Sequence, residues 1–211
     1  MPQTVTSLIE RWAQAQPAER ANAQLYISEL CDALGVDRPR PAGTGYQFEL
    51  PVRVVARDGT ESTNFIDCWY AGHFALEAKD GDAASDALLL RKAFGQVRNY
   101  AAHVPGAPPP YLFVLDVART LLVWDRWNGD YGGFSAARRI DLRRLGERPQ
   151  DADFLRAIWT DPASLDPNAR ALRVITEIAE RLARLAAQRG PTTHWTSDDF
   201  GSPCGSTASI S

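Results

Sequence analysis

The chain has 211 residues, 45% of them hydrophobic and 23% charged, with a net charge of −3. That is enough apolar material for one buried core without staples, and so mild a charge balance points to no polyanion partner while saying nothing of how the arginines are distributed. Cys31, Cys68 and Cys204 show neither a disulfide framework nor a zinc spacing, and no run approaches the roughly 20 apolar residues of a membrane span, so a soluble protein of a reducing cytoplasm is expected.

The spacing predicts helices over 4–15 and 18–35, the second carrying Ala23, Leu25, Tyr26, Leu30, Cys31 and Leu34 at helical intervals with Gly35 as C-cap. A Pro/Gly-rich connector leads to "YQFELPVRVVAR", an alternating strand whose Pro51 implies an edge or a bulge. Asp58-Gly59 turns the chain, and "TNFIDCWY" and "HFALEAKD" complete an antiparallel meander. Asp80 through Ser85 read as a turn and helix N-cap, before a long helix over 84–103 with Leu88, Leu89, Ala93, Val97 and Tyr100 on or near one face. "YLFVLDVA" is continuous enough to be a fully buried strand, and "TLLVWDRW" follows it, one of Trp124 and Trp127 being core and the other surface. Helices over 151–160 and 167–189 come next, the latter amphipathic through Leu172, Ile175, Ile178, Ala179, Leu182 and Leu185. The expected organisation is an α/β core over 1–150, a helical extension over 151–189 and a disordered Ser/Thr-rich tail over 190–211.

The chemistry concentrates in "FIDCWYAGHFALEAKD", residues 65–80. Alternation sets Glu77 and Lys79 on one side of their strand and Phe74, Leu76 and Ala78 on the other. With Ala71-Gly72-His73 as the loop, Tyr70 pairs with Phe74 and Asp67 falls opposite Glu77; a two-residue loop would put the acids on opposite faces. Opposed carboxylates repel unless something positive sits between them. Mg²⁺, which takes one or two protein carboxylates together with waters and phosphate oxygens, answers that need, with Asp67, Glu77 and the carbonyl of Ala78 as ligands and Mn²⁺ as a substitute. Lys79 would then position or help deprotonate an attacking water and stabilise charge on a phosphorane-like transition state. Only Lys79 and Lys92 are lysines among 23 basic residues, which sets Lys79 apart. The competing reading is an exposed i,i+2 pair on a solvated sheet face.

Asp67, nine residues, then Glu77-Ala78-Lys79, in this order of elements, resemble the D-x(n)-(D/E)-x-K signature of the PD-(D/E)xK nuclease superfamily. Gln96-Val97-Arg98-Asn99-Tyr100 on the following helix is similar to the QxxxY motif of its RecB-like members. With "YQFE", "NFIDCWYAGHFALEAK", "AFGQVRNY" and "PPYLFVLDVARTLLVWD", the chain resembles, over residues 5–189, the N-terminal endonuclease domain of MmeI-like (type IIG/IIL) restriction-modification enzymes. The resemblance implies a restriction-endonuclease-like αβββαβ core with a mixed central sheet and C-terminal helices. It implies a Mg²⁺-dependent DNA endonuclease of a phage-defence system, with double-stranded DNA as partner. It implies a catalytic set of Asp67, Glu77, Lys79, Gln96 and Tyr100, Gln96 bonding a metal water or phosphate and Tyr100 orienting Lys79 or the backbone. Glu49 is a further acidic candidate acting through water. Glu29 is read as an exposed helix carboxylate, the alternative being a helix-borne acid that reaches the site. Arg91, Lys92 and Arg98 are candidate phosphate contacts. His73, His103 and His194 do not cluster.

Such enzymes join this domain to a helical spacer, a methyltransferase and a target-recognition domain. No NPPY-type motif or Gly-rich cofactor loop occurs in the 211 residues, so those functions are expected of a subunit or domain outside them, and a dimer formed on DNA is also expected. The opposing reading is a non-catalytic remnant or a DNA-binding or interaction module. RNA in place of DNA is a third, since a metal site sees phosphate and not the base.

Overall fold

The computed structural model describes residues 3–15, 22–55, 58–79 and 87–188. The expected N-cap over 80–86, the start of the second helix and the tail lie outside these residues. Two compact units are distinguished, Met1–Arg170 and Ala171–Ser211.

In the first unit, α1 (Val5–Ala13) and α2 (Ala23–Leu34) precede β1 (Tyr46–Val55), β2 (Glu61–Tyr70) and β3 (Phe74–Lys79). Helix α3 (Ala87–Ala101) leads to β4 (Tyr111–Asp116), β5 (Thr120–Asp125) and β6 (Arg138–Asp141), followed by α4 (Pro149–Thr160). Thr4 caps α1 through a reciprocal pair of bonds with Ser7, and Gly35, at φ 70°, ends α2 in the left-handed conformation that suits glycine. The six strands form one mixed sheet in the order β1 to β6. All neighbours are antiparallel except β3 and β4, which α3 joins as a crossover, so the fold is α/β as expected. Strand β6 was not expected: of its four residues only Ile140 is buried, which leaves no periodicity to read.

Helices α1, α2 and α4 cover one face of the sheet, bringing Trp12, Ile27, Leu30, Leu155 and Trp159 onto Phe74, Leu76, Phe113 and Leu115. Helix α3 covers the other, packing Leu90, Ala93, Phe94 and Val97 against Ala75, Leu112, Val114 and Trp124. Strand β4 lies between the layers with all six residues buried, which is why it reads as an unbroken apolar run. The face of α3 differs from expectation: Leu88 is exposed while Leu90 and Phe94 are inside. Three consecutive leucines fit more than one register, and Phe94, stacked on Trp124 with ring centroids 4.3 Å apart, selects the one observed. Trp124 is core, whereas the half-buried Trp127 donates its indole N–H to Tyr111 Oη at 3.1 Å.

The β1–β2 hairpin changes sides partway along. Tyr46 and Phe48 pack in the α1/α2/α4 layer, but Leu50 and Val52 pack in the α3 layer, although all four share one parity. Between them Glu49 has φ 52°, a conformation L residues seldom adopt. Strand β2 makes the same change between Cys68 and Ile66, across Asp67. The outer hairpin therefore lies over α3, where Tyr100 donates to Asn64 Oδ1 at 3.2 Å.

Residues 171–188 of helix α5 (Pro167–Gln188) are the described part of the second unit. Its Leu172, Ile175, Ile178, Leu182 and Leu185 form an exposed stripe, matching the amphipathic pattern of the sequence. Among the described residues no helix is long and apolar enough to cross a membrane.

Candidate active site

Tyr70 pairs with Phe74 around the three-residue loop Ala71-Gly72-His73, with Gly72 at φ 73°. This register brings Asp67 level with Glu77 on the neighbouring strand. The β2–β3 ladder ends at Cys68 and Leu76, and the β1–β2 ladder is interrupted between the pairs Phe48–Cys68 and Leu50–Ile66. Asp67 sits in this opening. Its Oδ2 accepts the backbone N–H of Ala78 at 2.7 Å, replacing a ladder bond with a side-chain one.

Glu77 is only 6% exposed. Lys79 Nζ donates to its Oε1 at 2.8 Å, while Oε2 is buried without a hydrogen-bond partner. Burial first, and the charge of Asp67 second, push the Glu77 carboxyl up to about 7, against the opposing pull of Lys79. A cation at this point would hold Glu77 ionised and supply the partner that Oε2 lacks. The donors on hand are hard oxygens, two carboxylates and the backbone about Ala78, which suit a divalent ion that keeps most of its waters. Among the described residues no three His, Cys, Asp or Glu side chains gather as one metal-holding group, so the carboxylate donors number two.

The other sequence candidates are placed as follows. Glu49 is exposed and accepts from Gln24 Nε2 at 2.9 Å, which turns its carboxylate toward α2. Gln96 and Tyr100 are half-buried one turn apart on α3, over the sheet face that carries Glu77 and Lys79. The Tyr100 hydroxyl bonds Asn64, and the Lys79 ammonium bonds Glu77. Glu29 is not the exposed helix acid expected: it accepts from Trp12 Nε1 at 2.7 Å and from Arg11, clamping α1 to α2. Arg98 donates from Nη2 to both Asp130 carboxylate oxygens, at 2.9 and 3.1 Å, Arg91 lies over the Phe134 ring, and Lys92 is exposed. His73 stacks on Tyr70 and bonds the Ile158 carbonyl through Nδ1 at 2.8 Å, which gives it a packing role. A cavity of about 310 Å³ lined by Leu8, Trp12, Tyr26, Arg119 and Arg143 shares no residue with the acid pair.

The family model described as MmeI, N-terminal domain, matches residues 3–188. The chain belongs to this family. No curated protein and no solved structure matches it. The match to the MmeI N-terminal family takes in every described strand and helix, and it makes this a domain of the restriction-modification type, whose enzymes act on DNA.

This MmeI N-terminal domain holds one further carboxylate that the sequence reading passed over. Asp116 ends β4, is 4% exposed, and stands in parallel register with Lys79. Burial pushes its carboxyl up to about 6, against Arg119, Arg139 and Arg143, and its Oδ1 has no hydrogen-bond partner. Thr120 faces it on β5 and accepts from Arg139 at 3.2 Å through Oγ1. The signal in the sequence was an acid closing an otherwise unbroken apolar run, "YLFVLD".

Proposed function

We propose that this domain is a Mg²⁺-dependent endodeoxyribonuclease of a phage-defence restriction-modification system, with double-stranded DNA as substrate and Asp67, Glu77 and Lys79 at its centre. The observation that carries the reading is two carboxylates held level on adjacent strands, one with a buried, unpartnered oxygen, beside a half-buried ammonium. The Ala78 N–H needs no more than an acceptor oxygen; the charge of Asp67 raises the cost of ionising Glu77, for which a purely structural ion pair has no use.

Asp67, Glu77 and the Ala78 carbonyl would hold Mg²⁺, or Mn²⁺ in its place. A bound divalent ion supplies Lewis-acid stabilisation of phosphate charge and a more acidic water. The chain's own groups do the rest. Asp67 spends one lone pair on the Ala78 N–H, which fixes the backbone of Glu77-Ala78-Lys79 against the acid. Lys79, its side chain 27% exposed, presents a point charge to a non-bridging phosphate oxygen. As the water oxygen bonds phosphorus it gives up a proton to solvent, the bond to the leaving sugar oxygen breaks, and that oxygen takes a proton from a second water, with no covalent enzyme intermediate. Tyr100, through Asn64, holds the hairpin over α3, and Gln96 is the polar group one turn before it. Target choice would reside in a methyltransferase and recognition subunit or domain outside these residues, and duplex cleavage in a dimer formed on DNA.

The test is nicking of supercoiled plasmid by the purified chain with Mg²⁺ or Mn²⁺, beside Asp67→Ala and Lys79→Ala. Cation-dependent nicking lost by at least about a hundredfold in both variants, with circular dichroism unchanged, supports the reading. Nicking that survives both substitutions overturns the assigned centre, and a folded chain that neither nicks nor binds a divalent cation overturns the activity. Competing RNA that is cut in preference to DNA would change the substrate.

A further inference from the structure

We infer that Asp116 is a positioning residue for Lys79, receiving its ammonium when the Glu77 carboxylate turns to a cation. The inference rests on the reading of Asp67 and Glu77 as a cation-binding pair.

Lys79 and Asp116 are partners in the parallel β3–β4 register, so their side chains leave the sheet on the same face from strands about 4.8 Å apart. That spacing is well within the reach of a lysine stem. The ammonium is bonded on one side to Glu77 Oε1 at 2.8 Å. On the other side stands Asp116, 96% buried, with an Oδ1 that nothing satisfies. An unmet buried carboxylate oxygen is costly, and a side chain able to swing onto it would recover that cost. Thr120 pairs with Asp116 from β5, and the charges of Arg119 in the β4–β5 turn, Arg139 on β6 and Arg143 just after it act on Asp116, with Arg139 held on Thr120 and Arg143 on Asp141 at 3.0 Å. Lys79 approaches from β3.

The arrangement resolves a conflict. An ammonium on Glu77 competes with a divalent ion for the same carboxylate and repels it at short range. Displaced without a destination, Lys79 would also leave the place where it can meet phosphate. Asp116 gives the ammonium a second seat one strand away, so Glu77 is released and Lys79 stays at the centre.

Mn²⁺ binding to the full chain, measured by calorimetry, tests this without cleavage. Asp116→Val is expected to weaken binding by about tenfold, and the effect to disappear in a Lys79→Met background, where no ammonium has to leave Glu77. Asp116→Asn, which keeps shape and one acceptor, should lose less and covers the case in which the valine variant fails to fold. The same loss with and without Lys79 would overturn the inference, since Asp116 would then act on the cation or the fold directly. Equal affinity of wild type and both Asp116 variants would overturn it too. Wild type that binds no Mn²⁺, or Glu77→Gln that binds like wild type, would instead remove the cation pair itself, and the inference with it. A second readout uses the scarcity of lysine: with Lys92→Arg only the Lys79 ammonium remains to be seen by ¹⁵N-lysine NMR. Mg²⁺ should move that signal, and Asp116→Val should change where it moves; a signal indifferent to Asp116 would overturn the inference.

Discussion

Asp67 and Ala78 are joined by a 2.7 Å hydrogen bond, backbone N–H to Oδ2, just past the last β2–β3 ladder pair, Cys68–Leu76. The acid is thereby structural and chemical at once, and substitutions separate the two roles. Asp67→Ala should lower the unfolding free energy by about 1.5–3 kcal/mol, the range for a hydrogen bond to a charged group. Asp67→Asn keeps an acceptor oxygen and should lose less, while both abolish plasmid nicking. Urea unfolding beside the nicking assay checks this; equal costs for Asn and Ala would mean the bond does not hold the strands.

Glu49 occupies an exposed strand position, where valine is ordinarily welcome. Its φ of 52° reverses that expectation, because a β-branched side chain at positive φ clashes with its own backbone. Glu49→Val should cost about 1–3 kcal/mol, and Glu49→Gly much less despite losing the bond from Gln24. Thermal melts of the two variants decide the point, a valine variant as stable as wild type being the contrary outcome.

Tyr100 reaches Asn64 on the overlying hairpin. If it serves the centre through the hairpin, Tyr100→Phe and Asn64→Ala should each cost about 0.5–1.5 kcal/mol, and the double substitution little more than either. Nicking should fall by the same factor in all three. An effect of Tyr100→Phe on nicking that Asn64→Ala does not share would indicate direct action on Lys79.

Burial holds the His73 imidazole below its usual range, against the raising effects of the Ile158 carbonyl and Asp161. The folded chain therefore binds a proton at His73 less readily than the unfolded chain, whose histidines titrate near about 6.5. The resulting stability is complete above that value and is lost as pH falls through the lower, folded one. Melting temperature should drop between about pH 7.5 and about pH 5.5 more steeply for wild type than for His73→Phe, which keeps the stack on Tyr70. Parallel slopes would remove His73 from the account.

The three-residue loop and the level placement of Asp67 and Glu77 were legible in the sequence because they depend on neighbours in the chain. Alternation has a period of two, a glycine at the loop supplies positive φ, and one register follows from the other. The C-cap at Gly35, the buried run of β4 and the amphipathic stripe of α5 are local in the same sense. Asp116 was not legible, because its partnership with Lys79 exists only across a parallel pair whose crossover helix separates the two strands in sequence. The register of α3 was decided by Phe94 meeting Trp124, the clamp role of Glu29 by α1 lying against α2, and the strand at 138–141 by backbone bonds to β5. The turn of the hairpin at Glu49 follows from the need of Leu50, Val52 and Ile66 to bury against α3 when Tyr46, Phe48 and Cys68 are already committed to the opposite layer. Patterns along the chain determine which side chains share a strand or a helix face; which faces meet, and which buried charge is left without a partner, is decided by apolar surfaces closing over one another from distant parts of the chain.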